Sequence, residues 1–226
     1  EHVMSDGTQL KNSQEPVIVR LDESARNEAI SILVHGYRDE PTFQYLFDHR
    51  RPGYDQRVRA TIRELIDLYF ELEQDAIGVM VDDTLVAVAF IGDPELRMNL
   101  ADQISWRIRM VLTTGFASTR RYLDYHEKIR DMLPQPLAHQ LPMMGVNPKY
   151  QNRGYGRLLL KTVEKLCAEN PRGSGLVLDT GNNRYLPFYE SEGFRSLGKI
   201  QLGDFEDHVL FREVHPETKT ATSGQT

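Results

Sequence analysis

Hydrophobic positions recur along this chain with two periods, and the elements they predict alternate between short strands and longer amphipathic helices. Val17 to Leu21 alternates apolar and polar as a half-buried strand. Asp22 or Ser24 can then cap a helix with Ala25, Ala29, Ile32 and Leu33 on one face and Gly36 as its stop. Pro41 to Asp55 is aromatic and irregular, and we read it as a packed loop in preference to a lip facing a substrate. The clearest helix follows, because Val58, Ile62, Leu65, Ile66, Tyr69 and Phe70 fall on one helical stripe. Ala76–Val81 and Leu85–Ile91 predict two strands joined at Asp82-Asp83-Thr84, a hairpin signal without the favoured glycine. Residues 94–133 predict two helices. The first has Leu100, Ile104, Ile108 and Val111 as its buried face; the second, capped by Ser118, has Tyr122, Tyr125, Ile129 and Met132.

From Leu141 to Leu160 the pattern changes from an apolar strand to a tight glycine-containing loop and a long amphipathic helix. A strand at Leu176 to Leu178, a short helix from about Asn183 to Ser191 stopped by Gly193, and two further strands near 194–202 and 208–214 complete the chain. No repeat or linker divides it, so one domain is expected over residues 16–214, with a flexible N-terminal segment 1–15, Met4 as the natural start, and a flexible tail 215–226.

Bulk composition narrows the class. The 226 residues are 40% hydrophobic and 27% charged, enough to bury a sizeable core. The longest apolar run is too short to cross a bilayer, and no targeting pattern opens the chain, so no membrane partner and a cytoplasmic location are expected. A net charge of −6 argues against a nucleic-acid partner. The lone cysteine, Cys167, shares a helical stripe with Leu159, Val163 and Leu166 and reads as core, not as a nucleophile. His126, Asp124 and Arg120 lie on a polar helix face whose spacing shows no metal geometry, and no metal is expected.

The candidate chemistry begins at Gln151-Asn152-Arg153-Gly154-Tyr155-Gly156. A glycine loop opening straight into a helix leaves the first N–H groups of that helix unpaired, and the helix dipole favours an anion there. The glycines remove the Cβ atoms that would hold a diphosphate off the backbone, and Lys149 and Arg153 add positive charge. No Gly-Lys-Ser/Thr is present, so this is not a Walker-type loop. Leu159 occupies the third glycine position of a dinucleotide fingerprint, which argues against a nicotinamide cofactor.

Val146-x-Pro148-x-x-Gln151-x-x-Gly154-x-Gly156, followed by Asn182 and then Phe188-Tyr189-Glu190-x-x-Gly193-Phe194, resembles the GNAT superfamily of acetyl-coenzyme A-dependent N-acetyltransferases. The run Gly145-Val146-x-Pro148 and the phrase Leu186 to Glu190 are also similar to puromycin N-acetyltransferases, mainly in the second half of the chain. The resemblance implies an α/β (α+β) fold with a central mixed, mostly antiparallel twisted sheet of about seven strands, flanked by helices and splayed at its central strands. It implies acetyl-coenzyme A as cosubstrate, bound by the backbone of Met144 and Val146, by the loop residues Gln151, Asn152, Arg153, Gly154, Tyr155 and Gly156, and by Asn182 and Tyr189. Tyr189 matches the family tyrosine that protonates the departing thiolate, while Phe188 packs. Gly145 suits a bulge where the strand bends away from its neighbour.

The function expected from this resemblance is acetyl transfer to a primary amine of a small molecule, by direct attack in a ternary complex. Two other readings stay open: a protein or peptide N-acetyltransferase, and a non-catalytic acyl-coenzyme A sensor. The insertion at 94–133 either shapes the acceptor side, the preferred reading, or shields the sheet or forms a homodimer contact. The general base is unassigned. Gln140 stands where the family often has an acid and cannot accept a proton, which leaves His139 or a water relay.

Overall fold

The computed structural model describes residues 15–134 and 137–216. Seven strands form one sheet: β1 (Val17–Arg20), β2 (Asp75–Val81), β3 (Thr84–Gly92), β4 (His139–Val146), β5 (Gly175–Thr180), β6 (Arg195–Leu202) and β7 (Phe205–Glu213), in the order β1-β2-β3-β4-β5-β7-β6. Every neighbouring pair is antiparallel except β4 and β5. On one face lie α1 (Arg26–Tyr37), α2 (Pro41–Leu46), α3 (Tyr54–Glu71), α4 (Leu100–Thr114) and α5 (Phe116–Met132); on the other lie α6 (Tyr155–Ala168) and α7 (Leu186–Ser191). Each face has its own apolar core. No helix among the described residues is long and apolar enough to cross a membrane.

The Asp82-Asp83 hairpin forms without glycine because both aspartates take left-handed backbone angles, φ +49° and +61°, which short polar side chains tolerate. Cys167 is buried at 2% exposure, and burial pushes its thiol up to about 12, consistent with a packing role. The terminal segments expected to be flexible lie largely outside the described residues.

Several expectations need correction. Gly36 does not stop α1, which continues to Tyr37 and so carries that ring to the centre of the sheet. The aromatic stretch after Pro41 is a short helix with proline in its first turn, and Phe43 and Phe47 are core. Ser118 is not a cap: the second insertion helix starts at Phe116 after Gly115, leaving Ser118 buried within it. The largest error concerns α4, where Leu100, Ile104 and Ile108 are 71%, 49% and 54% exposed while Trp106, Met110 and Thr114 face inward. Apolar spacing fixed the period but not which of two stripes meets the core, and Trp106 alone buries more surface than any residue of the outer stripe.

Candidate active site

The one parallel pair in the sheet is also its weakest joint. β4 and β5 are in register only at His139 with Leu176 and Gln140 with Val177, and beyond those residues they separate. Asn147 N–H donates to Val86 O at 2.7 Å. By antiparallel alternation Gly145 and Met143 then turn their backbone groups toward β3, whereas Met144 and Val146 turn theirs into the opening. The bend has a cause in sequence: Leu141 and Pro142 together stand opposite Ile91, a bulge in which proline has no N–H to lose. The bulge therefore lies earlier than Gly145. That glycine instead sits close under α1, where a Cβ would meet the Leu33 side chain at 3.2 Å.

Tyr37 fills the inner part of this opening. Its hydroxyl accepts from Met144 N–H at 3.1 Å and donates to Pro142 O at 3.3 Å, so a side chain takes the place of the missing partner strand.

At the outer end, Gly154 caps α6 with φ +84° and Asn152 also takes a left-handed angle, +62°. A Cβ on Gly154 would meet nothing, and one on Gly156 would touch only Val146 at 3.7 Å, so both glycines face open space beside β4. The first bond closing α6 runs from Leu158 N–H to Gly154 O, which leaves the N–H groups of Tyr155, Gly156 and Arg157 ahead of the ladder. Gln151, Asn152 and Arg153 are exposed on the same turn, and the Arg153 guanidinium sits over the Tyr150 ring at 5.2 Å. This is the geometry of an anion-binding turn.

Across the opening stands α7. Tyr189 is half-buried against Phe188 and Phe194, at ring distances of 5.3 and 5.7 Å. Burial, reinforced by the charge of Glu40, raises its phenol well above the usual value, so it stays protonated as a donor. Asn182 accepts from Arg184 N–H at 3.0 Å, capping the turn that leads into α7.

Sequence reasoning missed the acidic group on the far side. Glu40, immediately before α2, accepts from Gly181 N–H at 2.6 Å and from Thr180 Oγ1 at 3.2 Å. Burial raises its carboxyl from 4.5 to about 7; the Gly181 bond opposes that shift and the nearby charge of Asp179 adds to it. Two features bring α2 so close to β5. Gly181 has no side chain, and a Cβ there would lie 2.7 Å from Thr42 Oγ1. Buried Arg57 gathers four carbonyls of the loop after α2, those of Phe47, Asp48, Arg51 and Pro52, at 2.8–3.2 Å. The signal available in sequence was an acid just ahead of a helix-starting proline, which is common and carries no chemistry by itself.

His139, by contrast, lies at the closed end of the splay, against Gly173 and five residues before Met144, roughly 17 Å along the strand. It is not brought together with Tyr189, and Glu40 takes its place as the titratable group facing the opening. No group of three or more metal-ligating side chains occurs among the described residues.

The family model of the acetyltransferase (GNAT) domain matches residues 108–196. A curated relative, an acetyltransferase of Stachybotrys chartarum, is 24% identical, with 81% of this chain and 82% of the relative covered. Among solved structures, a Corynebacterium glutamicum histone acetyltransferase HPA2 and related acetyltransferase superposes with a TM-score of 0.67 at 17% identity, covering 92% of this chain and 99% of that one. The C-terminal condensation domain of Ebony, in complex with beta-alanyl-dopamine, reaches 0.59 at 18% identity, covering 88% and 99%. The domain match over residues 108–196 and the curated relative point to an acyltransferase, and the seven-stranded splayed sheet shares its fold with the solved GNAT-type structures.

Proposed function

We propose that the protein transfers the acetyl group of acetyl-coenzyme A to a primary amine of a small molecule, by direct attack in a ternary complex. The observation that carries this reading is the splay of β4 from β5, with the backbone of Met144 and Val146 turned into the gap. The open anion turn lies at one end of that gap, and Glu40 and Tyr189 flank it. In this reading the diphosphate rests on the N–H groups of Gly154 to Arg157, and the pantetheine arm takes the place of a strand along β4. The Val146 N–H and the Asn182 amide add bonds to the arm. The Met144 N–H exchanges the Tyr37 hydroxyl for the thioester oxygen and stabilises the oxyanion.

The proton account closes on side chains already in place. An ammonium substrate gives one proton to the Glu40 carboxylate, directly or through water, and the neutral nitrogen attacks the carbonyl carbon. As the carbon–sulfur bond breaks, Tyr189 supplies a proton to the thiolate. The second nitrogen proton leaves to solvent, and the proton held by Glu40 passes to Tyr189, directly or through water, which restores the pair, so that acetylamide, coenzyme A thiol and one released proton are the products. A carboxyl pushed up to about 7 is a better base than an ordinary glutamate and is still ionised in a useful fraction at neutral pH.

The test is a panel of primary amines incubated with acetyl-coenzyme A, followed by thiol release and by the mass gain of one acetyl group on the amine. Acetylated small amines support the reading. Turnover confined to peptides would replace it with protein acetylation, and tight coenzyme binding without turnover of any amine would leave a sensor.

A further inference from the structure

The acceptor side holds a feature that acetyl transfer in general does not require. On the face of the sheet opposite α6, Asp179 of β5 and Asp207 of β7 are diagonal neighbours. Asp207 has no exposed surface; its Oδ1 accepts from Thr42 Oγ1 at 2.7 Å, and its Oδ2 meets no donor of the protein. Asp179 accepts from the Tyr125 hydroxyl. Burial raises both carboxyls, and two such groups side by side share a proton. With Glu40 nearby this makes three inward carboxyls, and among the described residues none of the three has a Lys, Arg or His within ion-pair distance. Buried acids of this density ordinarily have a cationic partner.

Two neighbouring spaces lie on the same face, and the smaller one touches Asp179. Between α3, α4, α5 and the start of β4 lies a space of about 590 Å³, with Leu65, Tyr69, Met98, Trp106, Tyr122 and Leu123 in its wall. A narrow neighbour of about 30 Å³ shares Leu65, Tyr122, His126, Gln140 and Pro142 with it and ends on Tyr125 and Asp179. Pro142 is also a partner of Tyr37, so both spaces border the vertex of the splay. An independent sign of a ligand comes from the wide part. Trp106, a wall residue of the cavity, is 7% exposed, and its buried indole N–H finds no acceptor. The guanidiniums of Arg97, Arg107 and Arg130 stand around the same space.

From these observations, and resting on the acetyl-transfer reading above, we infer that this cavity is the acceptor subsite: Asp179 receives the substrate ammonium, the aromatic wall holds a flat apolar body, and the Trp106 N–H binds an oxygen at its far end. The substrate class is a primary amine on a short chain, joined to an aromatic or similarly flat body that carries a hydroxyl or carbonyl. Asp207, Thr42 and Tyr125 are positioning residues that hold Asp179. A polycation or an extended peptide has no counterpart for the aromatic wall or the buried indole.

The experiment uses 4-hydroxyphenylethylamine, 2-phenylethylamine and 1,4-diaminobutane as probes, with wild type, Asp179→Asn and Trp106→Phe, each checked for folding by thermal melting. Coenzyme A is titrated calorimetrically first, and then each amine into the coenzyme-free and the coenzyme-saturated protein. The inference expects 4-hydroxyphenylethylamine to bind and turn over best. Asp179→Asn should raise its KM at least tenfold while changing kcat less than threefold. Trp106→Phe should raise KM for the hydroxylated probe several times more than for 2-phenylethylamine. A preference for 1,4-diaminobutane, or an Asp179→Asn variant whose KM stays within twofold, would overturn it. If coenzyme A itself fails to bind, acetyl transfer is lost as a reading, yet Asp179-dependent binding of the aromatic amine would still establish the subsite, and its absence would refute it. Should Asp179→Asn not fold, Trp106→Phe and the probe ranking decide alone.

Discussion

The proposed coenzyme side of the cleft draws on one nearly unbroken stretch, Met144 to Gly156, whereas the amine side collects Glu40, Thr42, Tyr125, Asp179 and Asp207 from segments far apart in the chain. The first works through backbone N–H groups and the absence of side chains; the second works through carboxyls whose properties come from their neighbours. Backbone chemistry survives as long as a turn keeps its shape. Carboxyl chemistry depends on burial, which only packing supplies. Substitutions on the two sides should therefore fail differently, one in coenzyme affinity and the other in rate and amine recognition.

The sharpest way to break that contrast is Glu40→Gln, which keeps the bond to Gly181 N–H and removes the base. A fall in kcat/KM of roughly 10²–10³-fold is expected, with coenzyme A affinity by calorimetry shifted far less. In wild type kcat/KM should rise as pH increases through about 7, because Glu40 must lose its proton to accept another, and the variant should lose that limb of the profile. Equal damage to coenzyme binding would place Glu40 in the structure of the cleft instead.

Tyr189→Phe comes next, with kcat lowered about 10²-fold and coenzyme A still bound, since the ring keeps its packing on Phe188 and Phe194. Gly156→Glu addresses the other side. It puts a carboxylate on the first turn of α6 where φ is ordinary and only Val146 is near, and it should weaken coenzyme A binding by roughly 30-fold through the repelled diphosphate. A folded variant that binds as tightly as wild type would remove the anion turn from the proposal.

The smallest effect is thermodynamic and opposite in sign to the first. The Glu40 carboxyl binds its proton more tightly folded than unfolded, about 7 against 4.5, so its contribution to stability is complete below 4.5 and is lost as pH rises through 7. Glu40→Gln should accordingly raise Tm at pH 8 by roughly 2–6 °C, for a gain of about 1–2 kcal/mol, and leave it unchanged near pH 4. A scanning calorimetry series over pH reads this directly, and a gain that persisted at pH 4 would point to a cause other than ionisation.

Legibility followed the same division. The turn at Gly154 and Gly156 could be named from local spacing, and Tyr189 and Asn182 from motifs that resemble a known family, because each signal lies within a few residues of sequence. Glu40 could not be, for its meaning depends on Gly181, which is 141 residues away and must lack a side chain for α2 to approach. The face of α4 was misread because two apolar stripes share one period, and the choice fell to the cavity beside Trp106.

By itself the sequence determined the strand and helix periods, the hairpin at Asp82-Asp83, the glycine turn that opens α6 and the order of the elements along the chain. These rest on interactions within a few residues, where side-chain pattern and backbone preference act directly. Tertiary structure alone decided which stripe of α4 faces inward, where β4 bends, that Tyr37 occupies the gap, and that Asp179 and Asp207 lie side by side with the charge of Glu40 nearby. Each of these is set by burial and by long-range contact, and a carboxyl becomes a base or an ammonium site only when packing has removed its water.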